Sequence, residues 1–307
     1  MQVIDHQTIV ANLTPQQRDH LLQRSDLAGL RQLSLHLTAI AICAILILMD
    51  IYVFGLVFLL QGVLIAFLFT PLHETVHQTP FASKGLNLWV GRLCGFLVLL
   101  GPEWFRYYHL AHHRFTHQPG KDPELARPKP ATWGQYLKYI SGIPDFTNRI
   151  RTLISNALTV NQDTFVPRHG KSKVRTEARV MIASYLVLIA LSMFTGSTVL
   201  LSIWILPLLL GGPFLRGYLL AEHARCLHVA SMIDNTRTTL TNSFVRFIAW
   251  NMPYHAEHHT YPSVPFHKLP EFHTHIKTFI SQKQKGYLRF NRHYLADSWS
   301  QKLPQDL

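Results

Sequence analysis

Four apolar runs, each near the length of a bilayer crossing, limit what this chain can fold into. Leu33–Tyr52 holds one acid, Asp50, close to its end, and Val53–Leu72 holds no charge. Val180–Thr195 and Val199–Leu220 follow after a long polar interval, the last with only Arg216. A helix needs about 20 residues to cross the hydrocarbon layer, where only helices and closed barrels satisfy every backbone polar group. Core helices of soluble domains keep a polar face, and these runs keep none. Charged residues make up 15% of the 307-residue chain, against roughly 25% in ordinary soluble domains. The expected fold is an all-α, multi-pass membrane protein. Its four transmembrane helices form two hairpins, 33–72 and 178–221. Segments 1–32, 73–177 and 222–307 complete one domain as a lead-in and a helical cap.

The basic residues orient this arrangement. No Lys or Arg lies near the expected hairpin turns around Asp50 and Gly196–Thr198. Three arginines precede the first run, twelve Lys or Arg fall in Pro102–Arg175, and ten follow from Arg225 onward. The positive-inside rule then puts both termini and the central segment in the cytosol. A net charge of +12 suits a surface against anionic lipid. No nucleic-acid motif accompanies it, so no nucleic-acid partner is expected. Residues 1–32 are polar, and the first run is too long for a cleavable signal peptide. Cys43, Cys94 and Cys226 show no CxxC spacing, which argues against a disulfide frame or a zinc knuckle.

Histidines carry the chemistry. His73-Glu-Thr-Val-His77 opens where the second run ends. His109-Leu-Ala-His112-His113 and His255-Ala-Glu-His258-His259 repeat one HxxHH pattern. Residues three and four apart share a helix face, so each cluster aims several imidazoles at one point. With four crossings, all three clusters reach the same membrane face, provided that Leu86–Gly101 does not cross. That stretch is short, contains Arg92 and ends at Gly101-Pro102, so it is expected to be interfacial or re-entrant. Eight imidazoles then meet, enough for two metals with about four nitrogens each. Imidazole ligation suits iron, copper or zinc rather than calcium or magnesium. His73–His77 also reads as HExxH, the zinc-protease pattern, but a protease leaves both HxxHH clusters without a role. A metal buffer or transporter is the non-enzymatic rival, and would be expected to hold its ligands near the membrane midplane.

The clusters His73–His77, His109–His113 and His255–His259 resemble the three histidine boxes of the integral-membrane fatty acid desaturase superfamily. That group also includes membrane hydroxylases and ketolases. Box order and spacing, hairpin placement, Tyr261-Pro262 and Pro265-Phe266-His267 all carry the likeness. The resemblance implies two iron ions (Fe2+/Fe3+), O2 as co-substrate and attack on an unactivated C–H bond of a lipid or acyl chain. Desaturation is the leading reading; hydroxylation or ketolation is the alternative. The chain carries no dinucleotide or flavin fingerprint, so electrons are expected from a separate ferredoxin or cytochrome b5. The family supplies a further ligand after the fourth crossing, where His223 is favoured over His228.

Ligand imidazoles usually donate their second N–H to a carboxylate or carbonyl, and Glu74, Asp122, Glu222 and Glu257 are the candidates. His117 reads as a neighbour of the site or a solvent-facing residue. His6, His20, His36, His169 and His293 read as structural or solvent-facing, and His267, His273 and His275 as a fringe outside the ligand set. Trp133–Val160 is expected to form one or two interfacial helices. The Thr-rich Asn235–Asn242 reads as a substrate-lining segment or a capped turn. Trp104, Phe105, Tyr107, Tyr108 and Trp250 fit an interfacial belt better than a tunnel wall. Substrate-binding residues are not legible at this level.

Overall fold

The computed structural model describes residues 5–50 and 54–299. Four helices are long and apolar enough to cross a membrane: Pro15–Leu48, Gly55–Val76, Arg168–Thr195 and Leu201–His223. The turn of the first hairpin, at 51–53, lies outside the described residues. The third helix begins ten residues before the expected start at 178, because Arg168, Lys171, Lys173 and Arg175 continue it beyond its apolar part. Its outer face is bare of protein, as a lipid-facing surface requires; Phe194 is 90% exposed.

The second and fourth crossings meet backbone to backbone. A Cβ on Gly211 would fall 1.9 Å from the Gly62 carbonyl oxygen, and one on Gly62 would fall 2.2 Å from Pro207 O. Small residues at such contacts let membrane helices approach closely. The ends of these two helices carry His73 and His223, so this contact sets the spacing of two site elements.

Helix Lys84–Leu97 is followed by helix Pro102–Phe115 at a bend of 101°. Leu99, at φ 58°, makes the turn, and Pro102 opens the second helix. The bend leaves helix-end carbonyls that need donors. Tyr185 Oη donates to Phe96 O at 2.8 Å, Trp204 Nε1 to Leu97 O at 2.7 Å and Arg149 Nη1 to Val98 O at 2.8 Å. Two of the crossings and the cap thereby hold the bend, and the second cluster leaves it at a fixed angle.

Within Trp133–Val160, where one or two helices were expected, the cap has two, Trp133–Ile140 and Ile143–Leu158. It also contains a small sheet that the sequence pattern did not announce. Thr238–Leu240 pairs in parallel with Lys283–Lys285, and Asn242 caps the following helix by accepting from Val245 N at 2.9 Å. Helix Tyr287–Trp299 is tied to the fourth crossing by Asn291 Nδ2, which donates to Gly217 O at 2.9 Å.

Candidate metal centre

Each cluster sits where its helix meets the cap. His73 lies in Phe69–Val76 and His77 is the C-cap of that helix. His109, His112 and His113 occupy the last two turns of Pro102–Phe115. His255, His258 and His259 fall within the short helix His255–Thr260. His223 is the last residue of the fourth crossing. The start of the second of these helices is held from outside: Glu177 of the third crossing accepts from Glu103 N at 2.7 Å.

The histidines separate into two groups. His73, His77, His109, His113 and His258 bring ligand nitrogens within 4.8 Å of one another, and His112, His223 and His259 do the same. His255 joins the second group, its Nε2 lying 3.1 Å from His223 Nε2. Of the eight clustered histidines the split is therefore five and three rather than four and four, with His223 as a fourth in the second group, because His113 and His258 point toward the first cluster and His112 and His259 away from it. His223 is buried at the centre of its group, 3.2 Å from His112 Nε2. His228 is exposed and lies beside His117 instead, the rings tilted by 50°. His117 is buried beside the site and its Nδ1 bonds to Leu227 O.

The nitrogen spacings suit cations. His77 and His113 place Nε2 2.9 Å from His109 Nε2, and His258 Nε2 lies 3.2 Å from His113 Nε2. Two nitrogens about 2.1 Å from one metal and at right angles are about 3.0 Å apart. One N–H···N hydrogen bond could span such a distance, but His109 Nε2 and His113 Nε2 each face two other ring nitrogens and can bond only one of them well. Nε2 of His73 and of His259 are buried with no hydrogen-bond partner among the described residues, and a buried unpaired polar atom is costly. Five ligands in one group also exceed the four of a tetrahedral zinc site. The donor set thus fits two metal ions of imidazole preference.

The electrostatics agree. Burial, reinforced by neighbouring imidazoles, pushes the pKa values of His109, His113, His255, His258 and His259 well below the ordinary histidine value. Burial does the same for His77. They are held neutral, the form that binds metal. His112 differs: burial lowers its pKa, but Glu124 and Asp122 outweigh it and raise the net value.

Of the four expected carboxylates only Asp122 hydrogen-bonds a clustered ring; Glu222 and Glu74 lie near such rings but beyond hydrogen-bond distance. Asp122 Oδ1 lies 3.0 Å from His112 Nδ1, and Asp122 also accepts from His117 N and Glu124 N. Glu222 Oε1 lies 3.5 Å from His255 Nδ1. Glu74 Oε1 lies 3.7 Å from His258 Nδ1 and 3.8 Å from His73 Nδ1, while its other oxygen accepts from Phe266 N. That position, on the outer side of the rings, is wrong for the general base of a protease. Glu257 corrects the expectation. It bonds His273 and accepts from Thr238 Oγ1 at 2.6 Å, so it ties the third cluster to the small sheet and His273 to the site's surroundings. Backbone and hydroxyl groups that spacing could not reveal serve other rings. Asn235 O lies 3.3 Å from His223 Nδ1, and Thr116 Oγ1 lies 3.4 Å from His259 Nδ1.

A cavity of about 120 Å³ reaches His73, His109 and His255. It adjoins a larger one of about 790 Å³ under the loop 119–127. Trp104, Phe105 and Tyr108 line the larger space, so these three are wall residues rather than a belt. Trp250 instead is buried against Phe266 and His36, and Tyr107 packs on Gly170. Arg216, Asp145 and Tyr139, also in the walls, were missed as site residues. The signal was one arginine in an otherwise apolar run, since intramembrane ionisable residues mark sites.

Four candidate crossings and a buried cluster of imidazoles able to hold metal define a polytopic helical membrane protein with a histidine-built centre. The chain belongs to the fatty acid desaturase family, whose sequence profile matches residues 50–291. It is also similar to a sphingolipid delta(4)-desaturase DES1-like protein of Oryza sativa subsp. japonica. That relative is 23% identical over 239 residues, covering 72% of this chain. The match spans 65% of the relative's own length.

Proposed function

We propose that this chain is an O2-dependent, non-haem di-iron oxidoreductase that introduces a C=C bond into a lipid acyl chain. The observation that carries the reading is the pair of imidazole groups, nine rings of which seven have facing nitrogens 2.9–3.2 Å apart. His73, His77, His109, His113 and His258 would hold one iron, and His112, His223, His255 and His259 the other. The two irons supply the oxidising power, drawn from O2, that removes hydrogen from an unactivated methylene. Family membership and the lipid-desaturase name of the relative support a lipid substrate.

The chain's own residues bind, orient and keep the site dry. Asp122 fixes His112 with its proton on Nδ1, leaving Nε2 toward the second group, and Asn235 O does the same for His223. Such outer partners set ring orientation and ligand basicity. Phe69, Phe105 and Tyr108 wall the cavity beside His73 and His109, where they exclude water from the reacting carbon. Electrons come from a separate ferredoxin or cytochrome b5 type donor. It would dock on the basic, cytosolic face, where surface charge mainly sets the association rate.

Metal analysis of the purified protein together with lipid profiling tests this reading. Two irons per chain and new double bonds, in a host with a competent donor, are the expected results. One zinc per chain would overturn the metal assignment, and new hydroxyl groups in place of double bonds would overturn the desaturation.

A further inference from the structure

We propose that His36 is a positioning residue for the first metal group, aiming His73, His77 and His258 through bonds made by its two ring nitrogens. This inference rests on the histidine clusters being a metal centre. His36 lies within the first crossing and is fully buried, and an ionisable side chain inside a membrane helix is a functional residue by default. Its first partner is a break in the second crossing. Leu68 N bonds to Ile65 O at 3.0 Å, three residues back rather than four, and Thr70 N bonds to Phe67 O at 2.9 Å in the same way. Leu64 O thereby loses the amide that an unbroken helix would bring to it, and a carbonyl left bare in a membrane is costly. His36 Nε2 lies 2.9 Å from that oxygen. His73 and His77 follow the break, so the course of the chain after Leu64 aims the first cluster.

The second partner leads to the third cluster. Trp250 Nε1 lies 3.4 Å from His36 Nδ1. A carbonyl only accepts and an indole N–H only donates, so both bonds call for one neutral ring, protonated at Nε2 and bare at Nδ1. Trp250 and Asn251 hold φ at 49° and 57°, a left-handed turn that non-glycine residues keep only where their surroundings enforce it. His255 opens its helix shortly after that turn. Several contacts enforce it: the Trp250 ring packs 4.7 Å from Phe266, and Asn251 Nδ2 donates to Phe266 O at 3.1 Å. Gln32, on the same helix face as His36, donates to Phe247 O at 2.7 Å. Phe266 N in turn donates to Glu74, between His73 and His77. First crossing, break and turn thus close a ring of contacts, and His36 sits at their junction. The first group draws His73 and His77 from beyond the break and His258 from beyond the turn, three of its five rings. The second group takes none from the second crossing, and its His112 and His223 have partners of their own in Asp122 and Asn235 O. Loss of the His36 bonds therefore falls on the first group.

Chelator competition on the full-length protein in nanodiscs, loaded with Fe2+ without oxygen, tests the inference. Two classes of bound iron are expected in the wild type, and His77→Ala, which removes a ring from the first group alone, marks the class that belongs to it. His36→Leu is expected to weaken that class about tenfold, the lower end of what a partner behind a ligand ring contributes, and to leave the other class nearly unchanged. His36→Gln is expected to restore it, because an amide can donate to Leu64 O and accept from Trp250 Nε1. Should His36→Leu fail to fold, Trp250→Phe decides: it keeps a ring against Phe266 and deletes only the N–H, and about threefold weakening of the same class is expected, the scale of one neutral hydrogen bond. Equal weakening of both classes, as a merely structural role would give, no weakening of the first, or no rescue by His36→Gln overturns the proposal alone. A wild type that holds fewer than two irons overturns the metal-centre reading and this proposal with it.

Discussion

At the scale of single residues, the centre is a set of rings whose useful face is fixed from behind. His223 and His228 lie only five positions apart, yet one is buried among imidazoles and the other is exposed. His223→Ala is expected to lower bound iron below two per chain and abolish turnover, whereas His228→Ala leaves both near wild type; iron analysis and product yield check this. Asp122 bonds His112 and two backbone amides. Asp122→Ala should cost about 10–100-fold in metal affinity, the usual range for such outer partners, as read by chelator competition. The ligand types and their pairing by i, i+3 and i, i+4 were legible in the sequence. The carboxylates were only partly so, because proximity along the chain does not say which way a side chain turns. Glu257 sits between His255 and His258, yet it faces His273 and Thr238.

At the scale of elements, the site depends on how helix ends are aimed. The contact of Gly62 with Gly211 brings the second and fourth crossings together, and both end in metal-cluster histidines. Gly211→Val must part these backbones, since even a Cβ would fall 1.9 Å from Gly62 O. It is expected to destabilise the protein by about 1–3 kcal/mol, the usual cost of overpacking, and to reduce iron retention with it. Thermal unfolding and metal content in detergent measure the two effects. An interfacial or re-entrant helix before the second cluster was expected from a short apolar stretch ending in Gly-Pro, and the bend that follows it fits that expectation. Its angle was not, because Tyr185, Trp204 and Arg149 set it from far along the chain. The parallel pairing of Thr238–Leu240 with Lys283–Lys285 was invisible for a related reason. Three-residue strands carry too little periodicity to announce themselves, and their partner lies over forty residues away.

At the scale of the whole molecule, charge and hydropathy imply a defined orientation. Four crossings with basic loops on one side predict that both termini and all three clusters share the cytosolic face. Cysteine labelling of intact cells checks this. Single cysteines introduced at Gln118 and His275, on the cap, should resist a membrane-impermeant reagent, and one at Ser197, in the second hairpin turn, should react. Labelling in the opposite pattern would reverse the topology. The sequence determined the membrane class, the four candidate crossings and the histidine type of the clustered residues, because hydrophobic length and helical spacing are properties of short stretches. Tertiary structure decided what long-range packing controls. It divided nine histidines into five and four, chose His223 over His228, turned Glu257 away and placed Arg216 in the wall of a cavity that reaches His73, His109 and His255. Those outcomes depend on how separate helices are rotated against each other, and no local spacing encodes that rotation.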